Sequence, residues 1–119
     1  MKPPPITRIP APGTGRSDAV ASDGYVYAVA TDPECADGIA AQTRNTLHDL
    51  DRLLEELGSN RTRLLQATVY LSDIALKPQM DAVWRDWIGA EANWPQRACV
   101  GVGLEAGYLI EVVVIAQGL

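Results

Sequence analysis

The chain has 119 residues, of which 47% are hydrophobic and 21% are charged, and its formal net charge is -5. This length and composition indicate one globular domain with a single core, covering residues 1–119, and they exclude a disordered acidic polymer. The negative charge and the lack of a basic cluster argue against nucleic acid as a partner, because binding to a phosphate backbone needs clustered cations.

Residues 1–15 hold most of the prolines and are predicted to form an extended lead-in segment. They contain no apolar stretch of the kind found in a signal peptide, and no run in the chain approaches about 18 apolar residues. The two cysteines, Cys35 and Cys99, are far apart in the sequence. We therefore expect reduced thiols, a cytoplasmic location and no membrane partner.

The first half of the chain changes from strand to helix. Residues 17–31 alternate around Asp23-Gly24, which predicts a β-hairpin with a tight turn. Residues 36–57 show apolar side chains at spacings of three and four, which predicts a helix. The only histidine, His48, lies at the edge of that apolar stripe and is expected to be a solvated helix residue. With so few ligand side chains, no metal site is predicted.

The second half of the chain changes from strand to helix and back to strand. Residues 67–71 alternate with period two and predict a strand, and Pro78 suits the first turn of a second helix. Two further strands are predicted at about residues 97–104 and 108–116. The order β-β-α-β-α-β-β predicts a two-layer α+β domain, with a mixed sheet of five or six strands and two helices on one face.

The last two strands are predicted to form a hairpin. In this register Arg97, Cys99 and Glu111 share the face that points away from the helices, together with apolar residues of the last strand. Arg97 and Glu111 would lie roughly 13 Å apart, with a small molecule between them or a neighbouring chain meeting each of them. An apolar face without helices indicates burial against another subunit. The alternative is that Arg97 ends a strand and that Glu111 is a solvated or paired surface residue.

Three stretches of the sequence are similar to one protein family. They are QTRNTLHDLDRLLEELGSNRTRLLQATVYLSD, PQRACVGV and LIEVVVIA. In this order they resemble the Rid family of reactive-intermediate deaminases, also called the YjgF type. The similarity runs from about Ser17 to the end of the sequence without large gaps. The Arg16-Ser17-Asp18 start and the Leu-Gly-Ser-Asn loop look most similar to the YoaB-like branch.

The resemblance implies a chorismate-mutase-like fold and a barrel-type homotrimer with pockets between its subunits. It implies that Arg97 binds a substrate carboxylate through its planar fork and that Glu111 holds the water that attacks an imine carbon. Cys99 takes a pocket position, as a wall rather than a nucleophile. The implied activity is hydrolysis of small 2-imino or enamine carboxylic acids to 2-oxo acids and ammonia, with no cofactor.

Several positions depart from the family's pattern. The resemblance places Ala30, Thr31 and Arg16 in the substrate-binding wall, but Val29-Ala30 replaces Ser-Gly and removes a polar side chain. Arg16 replaces a tyrosine and is either a second carboxylate partner or a surface residue, and Asp81 replaces an asparagine. Two alternatives to a deaminase follow. One is a non-catalytic trimeric protein that binds a carboxylate metabolite, and the other is a pathway-specific hydrolase of an aminomuconate-like enamine.

Overall fold

A computed structural model describes residues 1–118. Its helices and strands are, in chain order, β1 (Ile6–Ala11), β2 (Arg16–Ser22), β3 (Tyr25–Ala30), α1 (Ile39–Glu56), β4 (Leu64–Leu71), α2 (Lys77–Ile88), β5 (Gln96–Gly101) and β6 (Ile110–Gln117). The predicted α+β class is confirmed, and the lead-in segment contains β1. In the described part of the chain, no helix is long and apolar enough to cross a membrane.

The strands form one mixed sheet in the order β1-β2-β3-β6-β4-β5. β4 and β5 are parallel neighbours because α2 connects them, and a helical crossover returns the chain to the same end of the sheet. α1 connects β3 to β4 in the same way, but β6 lies between these two strands and is antiparallel to both. The last of these strands in chain order therefore lies near the centre of the sheet.

The first predicted hairpin is confirmed. β2 and β3 are antiparallel, with Ser22 opposite Tyr25. The two residues between them, Asp23 and Gly24, have φ angles of 52° and 84°. Two successive positive φ values are the conformation of a type I′ turn, whose twist matches that of the flanking strands. Glycine enters this region freely and aspartate tolerates it, so the Asp-Gly pair favours the turn.

Both helices pack against one face of the sheet. Along β3 and β6 every second side chain points to that face and is buried. These side chains and the apolar stripes of α1 and α2 form one continuous core. Its members include Val26, Ala28, Ala30, Leu47, Leu50, Leu53, Leu54, Ala67, Val69, Leu71, Met80, Trp84, Ile88, Ile110, Val112, Val114 and Ala116.

The opposite face of the sheet is covered by neither helix and is called the uncovered face below. Tyr27 and Val29 of β3 are 43% and 40% exposed there. Val113 and Ile115 of β6 lie beside them as their antiparallel partners. The prediction that the face without helices carries apolar side chains is therefore confirmed. An apolar surface of this kind is typical of a subunit interface.

The predicted hairpin of the last two strands is wrong, because β5 and β6 are not neighbours. β4 lies between them, and the loop of residues 102–109 crosses over its end, where the N–H of Val102 donates to the carbonyl of Leu71 at 2.9 Å. After its helical crossover β5 pairs on the outer side of β4, and this leaves the inner side for β6.

This topology reverses the predicted face of β5. Arg97 pairs with Ala67 in the buried row of β4, so its side chain and that of Cys99 point toward the helices. Glu111 pairs with Tyr70 and points to the uncovered face, as predicted. Arg97 and Glu111 therefore lie on opposite faces of the sheet, and the prediction of a shared face is wrong.

Candidate functional site

Arg97 lies on the edge strand β5, with its guanidinium against α2. Its Cζ atom is 5.1 Å from the centre of the Trp84 ring, which is a cation–π contact. Its Nη2 atom lies 2.7 Å from Oδ1 of Asp81, and 19% of the side-chain surface stays exposed. The guanidinium is thus held in one orientation at the edge of the sheet while part of it remains accessible.

Asp81 joins Arg97 to a second cation. Lys77, one turn earlier on α2, donates from Nζ to Oδ2 of Asp81 at 2.8 Å. Burial by itself would raise the pKa of Asp81, but the hydrogen bonds and positive charges of Lys77 and Arg97 outweigh it and hold that pKa below its usual value. Asp81 is therefore ionised at neutral pH. The three residues, called the charge triad below, carry two positive charges and one negative charge, a net charge of one.

Cys99 lies on the same side of β5 as Arg97, two residues further along, and is half-buried. Burial raises the pKa of its thiol, Arg97 and Lys77 lower it, and Asp81 raises it again, with a net rise. The thiol therefore stays protonated at neutral pH, and a protonated thiol is a poor nucleophile. Its role as a pocket wall stays a prediction, which this chemistry favours.

Glu111 lines a cavity of about 420 Å³ on the uncovered face. It is half-buried, and within residues 1–118 its carboxylate makes neither a hydrogen bond nor an ion pair. The cavity lining carries one guanidinium and three carboxylates, so its net formal charge is negative. The wall around Glu111 is lined by Arg16, Ser17, Asp18, Val29, Thr31, Leu104, Glu105, Tyr108 and Ile110.

The predicted wall residues divide between this cavity and the core. Arg16 and Thr31 line the cavity. Nη1 of Arg16 lies 3.0 Å from Oδ1 of Asp18 in an exposed ion pair. Ala30 is 1% exposed and its side chain belongs to the core, whereas its neighbour Val29 faces the cavity. The binding roles assigned to Arg16, Ala30 and Thr31 stay predictions.

Arg97 and Glu111 of one chain cannot reach the same small molecule. β4 separates their strands, which amounts to two strand spacings of about 4.8 Å each. Their partners on β4, Ala67 and Tyr70, are three positions apart, about 10 Å along the strand. Because the side chains also point to opposite faces, a site that uses both of them needs a second copy of the chain.

Gln42 of α1 supports the cavity, a role that was not predicted from the sequence. It is 1% exposed. Its Nε2 donates to the carbonyl of Ala36 at 2.8 Å and to that of Gly107 at 2.9 Å, and its Oε1 accepts from the N–H of Leu109 at 2.8 Å. Gln42 therefore ties the loop of residues 102–109 to the start of α1. Its position on the apolar stripe of α1, one residue before Thr43, was the available signal.

Asp32 organises the loop that follows β3. It is fully buried. Its two carboxylate oxygens accept from the N–H groups of Glu34 and Ala36, each at 2.8 Å, and the side chain of Asn45 donates to the same carboxylate at 3.2 Å. The carboxylate holds the backbone next to Thr31 in place at the edge of the cavity.

Lys77 is a second residue of the site region that was not predicted from the sequence. Lys77 and Asp81 are four residues apart on α2, a spacing that places both side chains on one helix face. That spacing was the available signal. What it could not indicate is that Arg97 approaches from β5 to complete the charge triad.

A separate cavity of about 360 Å³ lies between the outer sides of α1 and α2. Arg61 binds Asp51 there through two of its nitrogens, at 3.2 and 2.7 Å, and stacks on Trp87. His48 borders this cavity and is exposed, as predicted. Among residues 1–118, no three histidine, cysteine, aspartate or glutamate side chains are grouped closely enough to hold a metal ion.

Sequence comparisons identify relatives along nearly the whole chain. The profile of the family described as Endoribonuclease L-PSP matches residues 8–117. The RutC family protein YoaB of Escherichia coli strain K12 is 35% identical over 102 residues, which cover 84% of this chain and 88% of that protein. A RutC family protein of Aquifex aeolicus is 26% identical over 117 residues, which cover 91% and 94% of the two chains.

Solved structures give the same result. A YjgF family protein from Neisseria meningitidis has a TM-score of 0.89 at 30% identity, with 97% of this chain and 96% of that chain covered. A member of the YjgF/YER057c/UK114 family from Mycobacterium tuberculosis has a TM-score of 0.84 at 26% identity, with 95% and 99% covered. The chain therefore belongs to the YjgF/RutC family, the Rid family that its motifs resemble.

Proposed function

We propose that the protein hydrolyses small 2-imino carboxylic acids, or their enamine tautomers, to 2-oxo acids and ammonia. One water molecule adds across the C=N bond, and the resulting carbinolamine releases ammonia as the C=O bond forms. The atoms balance with water as the only co-reactant. In this proposal Arg97 binds the substrate carboxylate and Glu111 positions the water.

The observation that carries the proposal is the Glu111 carboxylate, which lines an open cavity without a partner among residues 1–118. Val113 and Ile115 follow it on the same face of β6. An unpaired charge beside apolar side chains costs free energy, so a bound water or ligand is the expected partner. A carboxylate in this position accepts a hydrogen bond from water and can take its proton as the water attacks the imine carbon.

The orientation of Arg97 supports its proposed role. Nη2 makes the 2.7 Å contact with Asp81, and part of the guanidinium stays accessible, so its other N–H groups are proposed to bind the two oxygens of a substrate carboxylate. Binding the carboxylate also positions the C=N bond, because the carboxylate carbon is bonded directly to the imine carbon. Such positioning converts the attack by water into a step between groups already in place.

A homotrimer with pockets between its copies is part of the proposal. Arg97 and Glu111 lie on opposite faces of one sheet. A substrate that meets both must therefore take Arg97 from one copy and Glu111 from another. The exposed side chains of Tyr27, Val29 and Val100 on the uncovered face supply apolar surface for such an assembly.

The proposal predicts that Arg97→Ala and Glu111→Gln each lower kcat/KM by about 100-fold or more. The substrate is an imine that an amino acid oxidase generates in the assay, and the readout is ammonia and 2-oxo acid formed above the spontaneous rate. Arg85→Ala is the matched control, since it removes an equal charge from an exposed position on α2. It should retain the wild-type rate within twofold. Equal rates for Arg97→Ala and the wild type would sink the proposal.

A non-catalytic trimeric protein that binds a carboxylate metabolite is the second candidate. Val29 favours it, because this exposed apolar side chain lines the Glu111 cavity where a polar side chain would help to hold water. Calorimetry with a 2-oxo acid separates the candidates. Binding together with ammonia release supports the deaminase, whereas binding without any release above the spontaneous rate supports the binding protein.

A further inference from the structure

The charge triad places a buried carboxylate against the cation that is proposed to bind substrate. Asp81 is 9% exposed, and its two oxygens are divided between Arg97 at 2.7 Å and Lys77 at 2.8 Å. The guanidinium of Arg97 also lies over the Trp84 ring. Its position is therefore determined by groups of its own chain before any ligand arrives.

The triad retains one net positive charge for an incoming anion. A ligand carboxylate on the free N–H groups of Arg97 would lie within a few ångströms of Asp81, and the two negative charges repel each other. Lys77 acts in the opposite direction, because its charge attracts the same ligand. Its side chain is 43% exposed, so solvent screens this attraction more than it screens the repulsion by buried Asp81.

We propose that Asp81 and Lys77 set the affinity of Arg97 for carboxylates, with Asp81 weakening it and Lys77 strengthening it. This inference rests on the proposed function in one respect, namely that Arg97 binds the carboxylate. Arg97 makes the contact with the ligand, and the charges of Asp81 and Lys77 oppose or assist that contact. The product of the proposed reaction keeps the carboxylate of the substrate, so a weakened anion site speeds the release of the 2-oxo acid.

Isothermal titration calorimetry of the full chain with 2-oxobutanoate tests the inference without relying on turnover. Asp81→Asn keeps the shape of the side chain and an acceptor oxygen but removes the charge, and it is expected to lower Kd roughly tenfold. Lys77→Met keeps the aliphatic stem and removes the opposite charge, and it is expected to raise Kd about threefold. Circular dichroism melts confirm that each variant is folded.

Asp86→Asn is the matched control. It removes one negative charge from α2 at an exposed position that borders the separate cavity between the helices. The net charge of the chain changes as it does in Asp81→Asn, but Arg97 is not contacted. Its Kd should stay within twofold of the wild-type value.

The direction in which Asp81→Asn changes the Kd of 2-oxobutanoate decides between this inference and a structural role for Asp81. If Asp81 serves only to orient Arg97, then Asp81→Asn should bind 2-oxobutanoate more weakly than the wild type. This result would overturn the inference but leave the proposed function intact. Unchanged affinity in both triad variants would also overturn it. If neither the wild type nor Asp81→Asn binds 2-oxobutanoate, carboxylate recognition by Arg97 fails, and the proposed function fails with it.

Discussion

The pKa of the Cys99 thiol depends on the charge triad, because all three of its charges act on the thiol. Burial has the largest effect on its pKa and raises it, Arg97 and Lys77 act against this rise, and Asp81 adds to it. Since only the thiolate reacts with alkylating reagents, the reaction rate at a given pH reads out that pKa. The thiol is therefore a probe that needs no substrate.

We predict that Cys99 reacts slowly with iodoacetamide at neutral pH. Its reaction rate should rise with pH, and the inflection of that profile should lie at a higher pH than for an ordinary cysteine. The measurement uses a Cys35→Ser chain, since Cys35 is exposed and would react as well. Mass spectrometry gives the rate at each pH. Asp81→Asn should move the inflection to lower pH, because a negative charge near the thiol is removed. An inflection that stays in place or rises in that variant contradicts the electrostatic description of the triad.

At the level of residues, the sequence pattern predicted the face of Glu111 correctly and the face of Arg97 incorrectly. Alternation along β6 placed Glu111, Val113 and Ile115 correctly on the uncovered face, because the period of a strand fixes which side chains share a face. The face of Arg97 depends on which strand lies beside β5. Alternation within β5 carries no information about that neighbour.

The helix α1 is hydrogen-bonded to the loop that follows β5 through the side chain of Gln42. Gln42 makes two hydrogen bonds as a donor and one as an acceptor, and two of the three bind residues 102–109. Its position among the buried residues of α1 leaves no water to replace these partners. The geometry of this wall of the Glu111 cavity thus depends on a helix that does not line the cavity.

We expect Gln42→Leu to destabilise the fold by about 2–4 kcal/mol, because two carbonyls and one N–H group lose their buried partner while the volume is nearly kept. Urea unfolding followed by circular dichroism measures the loss. Gln79→Leu, at an exposed position on α2, is the control and should change stability by less than about 0.5 kcal/mol. A loss in Gln42→Leu no larger than in the control contradicts the role assigned to these hydrogen bonds.

β1 was predicted only as part of an extended segment, the other helices and strands were predicted to within a few residues, and the pairing of the last two strands was not. The apolar stripe of α1 and the Asp23-Gly24 turn are local signals, and both were interpreted correctly. The hairpin of β5 and β6 was inferred from a short connection. The helix between β4 and β5 is the stronger signal, because a helical crossover favours a parallel pairing of the two strands that it connects.

For the whole molecule, the uncovered face is the feature that most needs a partner. It combines the apolar side chains of β3 and β6 with the half-buried Glu111 and with exposed residues of the edge strand β5. A single chain leaves this surface in water, and it also leaves Arg97 and Glu111 apart. Self-association would bury the apolar surface and could bring Arg97 of one copy close to Glu111 of another.

We predict that light scattering after gel filtration gives the mass of three chains, and that Val100→Asp lowers the mass toward that of one. Val100 is 41% exposed on β5 and points to the uncovered face, so the added charge should disrupt the assembly more than the fold. Ala92→Asp adds the same charge in an exposed turn and should leave the trimer intact. Wild-type chains that elute as monomers at micromolar concentration contradict the assembly.

The position of β6 in the sheet has a consequence for how the chain folds. β3 and β4 are joined only through β6, so the sheet stays in two separate pieces until residues 110–117 arrive between them. On the ribosome, the earlier strands are made first and must wait with their edges unpaired. Unpaired edges of this kind attract other strands, so the interval before β6 is synthesised is the one at which we expect this chain to be most prone to misfolding and aggregation.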